Sequence, residues 1–303
     1  MTGDLGWASG GRFEPMRLLL DPYAPWAEPL SAPEGVNDLG PDGAPDKILL
    51  GALGPLVDKE PPAPRAEGPA SIRPLGRAGG REAAVTLSVA AFTRHPRVPE
   101  DLQGSYAGIA YRVQDLVGLG VTTVVLRHVL LSGRGTDARP APLSFFAPDP
   151  SLATEAPEVA GSVAARAAAE LQAAILSLRT AGLRVLMEVS FCRTGEGDDE
   201  RSRCCSWRGI DHSLYYRGGG VLNLGNPVVR QLMVDSARHW RDRFGVDGLL
   251  VSAPEPLCMS EEGIVQVRSR VPLLATCERD QIHSAPCRML LLLPRHLCRS
   301  RTW

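Results

Sequence analysis

Gly120, Gly182 and Gly245 each close an amphipathic stretch and stand directly before a short apolar run. This recurring helix–glycine–strand unit constrains the fold more than anything else in the chain. Residues 104–120 predict a helix with Tyr106, Ile109, Val113, Leu116 and Val117 on one face, and 121–126 a β-branched strand. Residues 163–182 predict an Ala-rich helix burying Ala167, Leu171, Ala174, Ile175 and Leu178, then a strand over 183–191. In the third unit Asn226 is the N-cap and Pro227 the first helical residue, where a missing N–H costs nothing. Val229, Leu232, Met233, Ser236 and Trp240 supply its buried face, with His239 read as surface. Gly245 ends that helix, and 246–251 read as a strand covered on both faces. An earlier strand is predicted over 85–92.

Helix and strand in alternation, with short joints before strands and long loops after them, imply a parallel sheet. Long loops on the C-terminal side are the habit of the (β/α)8 TIM barrel. A doubly wound sheet is disfavoured because no Gly-rich phosphate loop follows the first strand. Only about half a barrel is countable by residue 253. An open half exposes strand edges, so poor independent folding is expected. Residues 31–84, dense in Pro, Gly and charge, read as a linker. A strand is expected at 17–20, and 254–303 read as a divergent tail without a helix–glycine–strand unit.

A net charge of −1 gives no general pull towards nucleic acid or an anionic membrane. The apolar run at 289–294 is far too short to span a bilayer. The start Met-Thr-Gly-Asp-Leu-Gly-Trp carries no visible signal or transit peptide. Seven cysteines, odd in number and without a CxxC pair, argue for reduced thiols over a disulfide scaffold or zinc site.

Several stretches combine into a recognisable pattern. Ser206-Trp-Arg-Gly-Ile-Asp-His-Ser-Leu-Tyr-Tyr216 resembles the Ser-Phe-Arg-Gly-Val-Asp-Asn-Ser-Val-Tyr-Tyr loop of isoamylase-type starch and glycogen debranching enzymes, in the α-amylase superfamily (glycoside hydrolase family 13). Asn226-Pro-Val-Val-Arg-Gln231, Leu143-Ser-Phe-Phe-Ala-Pro148 and Leu20-Asp-Pro-Tyr-Ala24 are similar to further segments of that family. The resemblance implies an α/β chain of the (β/α)8 TIM-barrel family, here about the first half over 85–253. A tail of an N-terminal β-sandwich carbohydrate-binding domain would precede it within 1–30. It also implies an α-1,6-glucan (amylopectin- or glycogen-like) as ligand and a plastid location; no cofactor or metal is expected.

Retaining glycoside cleavage needs two carboxyl groups flanking the scissile bond. By the resemblance, the nucleophilic Asp ends the fourth barrel strand in Asp-Gly-Phe-Arg-Phe-Asp. Here the matching stretch is Asp247-Gly-Leu-Leu-Val-Ser252, which puts Leu250 at the Arg position and Ser252 at the nucleophile position. A serine hydroxyl is not ionised near neutral pH and needs a partner base. The family's Asn-His pair falls on Cys192 and Arg193, and its stacking Tyr on Pro140. The substitutions resemble the non-catalytic plant plastid isoamylase isoform, which implies a glucan-binding or regulatory subunit beside a catalytic isoamylase. An active α-1,6-glucosidase and a truncated product without function are the alternatives.

Trp207, Asp211, Tyr215 and Tyr216 are the candidate glucan contacts, although core or loop packing explains the aromatic residues equally well. Glu255 reads as a solvated loop carboxylate rather than a substitute nucleophile, and Glu188 as a paired structural one. Cys192 beside Arg193 and His212 lacks a positioned base for thiolate chemistry. The acidic run at 195–203 reads as a solvated loop rather than a calcium site, its spacing not being that of an EF-hand.

Overall fold

The computed structural model describes residues 19–29, 49–51, 82–132, 141–155, 162–196, 206–217, 221–252, 274–277 and 288–292. Near the N-terminus, β1 (Ala27–Pro29) pairs antiparallel with β2 (Leu49–Gly51). The main sheet begins with β3 (Ala84–Ser88), followed by the short helix α1 (Val89–Thr93). A 3-10 segment, Ala107–Arg112, runs into α2 (Val113–Gly118) and then β4 (Thr123–Arg127). Next come α3 (Val163–Thr180), β5 (Arg184–Val189) and α4 (Trp207–Tyr215). The short pair β6 (Tyr216–Arg217) and β7 (Val221–Leu222) leads to α5 (Pro227–His239), a π-helical turn at Trp240–Phe244, and β8 (Gly248–Ser252). β9 (Leu274–Cys277) and β10 (Arg288–Leu292) complete the described elements.

The sheet order is β3-β4-β5-β8-β10-β9. The first four strands are parallel, whereas β10 runs antiparallel to β8 and β9 antiparallel to β10. The exposed strand edges expected of an open half-barrel are met at β8 by residues 288–292 of the tail, which pair with its outer backbone groups. The four parallel strands keep barrel-type β/α order, and β10 sits where a parallel fifth strand would continue it.

The three glycines adopt left-handed φ of 75°, 82° and 75°, as a closing αL residue requires. Asn226 caps α5 by accepting the Val228 N–H at 2.9 Å, with Pro227 at the helix start. The first predicted helix is shorter and partly 3-10, and Val117 is exposed. The strand predicted over 85–92 ends at Ser88, where α1 takes over. Leu19 and Leu20 are not in a strand; the rest of the strand expected at 17–20 lies outside the described residues.

Strand residues alternate between two faces. Leu87, Val124, Leu126, Val185, Met187, Val189, Leu249 and Val251 enter one core with Leu171, Ile175 and Leu178 of α3 and Leu232 and Met233 of α5. The opposite face is buried at its base by Thr123, Val125, Arg184 and Leu186, and half open at the strand C-termini. β8 is therefore covered completely on one face only, since Leu250 and Ser252 are half-buried.

Residues 20–27 dock on this unit. Leu20, Ala24 and Ala27 pack with Leu131, Leu143 and Ala147, and the Tyr23 ring lies 4.9 Å from that of Phe146. This segment is part of the barrel-type unit's packing. The remainder of the sandwich tail expected in 1–30, and most of the linker, lie outside the described residues.

Candidate active-site face

Register aligns one row across the C-terminal ends of the strands. Ser88 pairs with Arg127, Glu188 follows one step beyond the Leu126–Met187 pair, and Glu188 pairs with Leu250. Within this row the Arg127 Nε lies 2.5 Å from the Glu188 carboxylate, with side chains 37% and 11% exposed. The expectation that Glu188 is a paired carboxylate holds, and its partner comes from β4. His128 follows at φ 56°, a left-handed conformation uncommon for a residue with a side chain. Burial first, then the Arg127 charge, lowers its imidazole pKa, so the ring stays neutral at neutral pH.

Leu250 and Ser252 project from the same face of β8, two residues apart. Asp247, just before the strand, is tied into the base of the sheet: its carboxylate accepts the Val185 N–H at 3.0 Å and lies 3.6 Å from Arg179 Nε. Cys192 is half-buried and its carbonyl accepts the Leu222 N–H at 2.9 Å, while Arg193 is exposed in a bridge to Val221. These two positions belong to the β7 junction. Pro140 and Glu255 lie outside the described residues.

Within 206–216, residues Trp207–Tyr215 form α4 rather than an open loop, broken by a kink at Asp211 (φ −161°, ψ 97°). Trp207 is 0% exposed. Its indole N–H donates to the Leu143 carbonyl at 3.1 Å, and its ring meets Phe145 and Tyr215 edge-on. A ring so enclosed has no face for a sugar, so the glucan-contact expectation for Trp207 is corrected to packing. The side chains of Tyr215 and Tyr216 are buried as well, and packing accounts for both. Asp211, half-buried, accepts the Ser213 O–H and the Leu214 N–H, at 2.8 and 3.0 Å.

The residue that sequence reasoning missed is Glu196. The acidic run was expected to be solvated, yet this side chain is 1% exposed. It accepts the Ser206 N–H at 2.6 Å, the Arg208 N–H at 3.0 Å and the Tyr216 O–H at 2.8 Å. Tyr216 in turn shares a 2.5 Å hydrogen bond with Thr194. Burial pushes the Glu196 carboxyl above its ordinary range against the pull of these donors, and burial together with Glu196 raises the Tyr216 phenol. Only its position, two residues after the buried Thr194 in the loop that follows β5, hinted at an inward role. The remainder of the run lies outside the described residues.

His239 is a second correction. Its ring packs at 5.5 Å from those of Phe146, Trp240 and Phe244, and burial lowers its pKa to about 4. Among the described residues no group of three or more His, Cys, Asp or Glu side chains could hold a metal ion.

No family model matches the chain. The apo pullulanase from Paenibacillus barengoltzii superposes with a TM-score of 0.50 at 19% identity, over 62% of this chain and 32% of the pullulanase. That likeness defines the class: an α/β protein with part of a TIM-barrel-like sheet. Isoamylase 3, chloroplastic, of Oryza sativa subsp. japonica is 28% identical over 304 residues, covering 86% of this chain and 35% of the relative. Isoamylase 2, chloroplastic, of the same plant is 31% identical over 207 residues, covering 65% and 24%. The isoamylase of Pseudomonas amyloderamosa is 28% identical over 276 residues, covering 80% and 34%. Over the segments they share, the chain is homologous to isoamylase-type debranching enzymes. It spans about a third or less of the length of these relatives.

Proposed function

We propose that this chain binds α-glucan without cleaving it, as a glucan-binding or regulatory partner of a catalytic isoamylase in plastid starch metabolism. The reading rests on the end of β8, which carries Leu250 and Ser252 where the family resemblance places a cation and a carboxylate. A hydroxyl at that position cannot stabilise an oxocarbenium-like transition state as a carboxylate does. The neighbouring carboxylate, Glu188, is engaged by Arg127 and so is poorly placed to substitute. The scaffold around these positions keeps its barrel-type β/α order, which fits retention of a binding surface. The plastid assignment rests on the relatives named chloroplastic. The same reading divides the chain into a sandwich remnant to residue 30, a linker to 84, a half-barrel to 253 and a tail.

Native electrophoresis through amylopectin-containing gel tests the binding. The purified chain should migrate more slowly than in a glucan-free gel, and unchanged mobility would remove the glucan reading. Co-elution with a catalytic isoamylase tests the partner in the same way.

A further inference from the structure

Helix α4 begins without a cap of its own. Ser206 stands at its N-cap with φ −153° and ψ −99°, and its side chain makes no capping bond. The Ser206 hydroxyl instead donates to the Leu20 carbonyl at 2.7 Å, tying the docked N-terminal segment to the helix start. The orphan N–H groups are taken by a carboxylate from another segment. Glu196 receives Ser206 N–H on one oxygen and Arg208 N–H on the other. The second oxygen also accepts from Tyr216, immediately beyond the last residue of α4. One buried carboxylate therefore holds the start of the 207–215 segment and the residue just beyond its end, on either side of the kink at Asp211.

From there the hold passes outward. The Arg208 guanidinium lies 4.5 Å over the Tyr216 ring and its Nη1 is 3.1 Å from His212 Nδ1, while the His212 ring stacks on Tyr216 at 5.4 Å. Residues 210–214, with Asp211 and His212 among them, are the part of α4 left wholly or partly open to solvent by this packing. We propose that Glu196 is the positioning residue of the glucan-facing segment, fixing α4 so that Asp211 and His212 are presented to a hydroxyl-rich saccharide. Vicinal sugar hydroxyls suit such a pair, a carboxylate that accepts beside an imidazole that can do either. The assignment of the ligand rests on the glucan reading above; the positioning role does not.

The experiment uses the full chain carrying Glu196→Gln, which keeps the volume but puts a donor against donors, and Tyr216→Phe, which removes only the phenolic bond. Mobility in amylopectin gel is read beside hydrogen exchange along the chain. Glu196→Gln is expected to weaken glucan retention about tenfold, the loss of one or two charge-assisted bonds. It should also speed exchange of the 206–216 amides while those of β4 and β5 keep their protection. Tyr216→Phe should retain the protection at 206–208. Unchanged retention and exchange in Glu196→Gln would overturn the proposal, and so would exchange that accelerates uniformly across the sheet. If the unsubstituted chain is not retained by glucan at all, the ligand reading fails. Local exchange then decides the role of Glu196 alone: acceleration confined to 206–216 supports it, and none overturns it.

Discussion

The two faces of the parallel sheet carry different records. One packs Val124, Met187, Leu249 and Val251 into a continuous apolar core against α3 and α5. The other ends in Ser88, Arg127, Glu188, Leu250 and Ser252, a half-open row of mixed chemistry. The first face is bound by volume and burial, so its residues remain those of a barrel scaffold. The second is bound by chemistry alone, and it holds Leu250 and Ser252, the positions on which the proposed loss of cleavage rests. Scaffold and chemistry in one sheet are separately substitutable, because alternate residues of a strand see different surroundings.

The contrast breaks most visibly through the covered face. Trp240→Ala removes a fully buried ring whose indole N–H donates to Phe145 at 2.8 Å. Urea unfolding should register a loss of about 3–5 kcal/mol. Leu250→Ala, on the half-open face, should cost well under half of that. Similar losses at the two sites would erase the distinction between the faces.

Acid probes the covered side through His239. Its folded pKa of about 4 lies below the ordinary 6.5, so the unfolded chain binds the proton more readily between those values. Stability is therefore full above pH 6.5 and falls by up to about 3 kcal/mol as pH drops towards 4. Denaturant midpoints across that range should show the slope, and His239→Phe should flatten it. A slope unchanged in the variant would place the titrating group elsewhere.

The charged row gives a smaller signal. Arg127→Leu leaves Glu188 without its cation and should cost about 1–2 kcal/mol, the Arg being partly exposed and the pair partly screened. Adding Glu188→Leu should recover most of the loss, because the penalty is that of an unpaired charge. Additive losses in a double-mutant cycle would show that the two do not act as a pair.

Much of the covered face was legible in advance. The three closing glycines, the Asn226–Pro227 start and the periodic apolar positions of α3 and α5 are local signals, readable within one turn or one strand. The half-open face was legible only where a family motif marked it, at Leu250 and Ser252. The Arg127–Glu188 pair depends on register between two strands, and the Glu196 knot joins residues 194, 196, 206, 208 and 216. Neither has a period or spacing to betray it. His239 was misread because its helical position faces outward by periodicity, yet Phe146 arrives from a distant segment and Phe244 from the π-helical turn that continues α5 to cover it. The pairing of β10 on β8 escaped notice for the same reason: antiparallel addition from a distant segment leaves no helix–glycine–strand signature.

The central claim is that a barrel-type scaffold survives here without the chemistry of glucan cleavage. Incubation of the purified chain with amylopectin, followed by assay of new reducing ends and released linear chains, tests it most directly. No product above an enzyme-free blank is expected. Linear glucan released by the unsubstituted chain, and lost in Ser252→Ala, would contradict it.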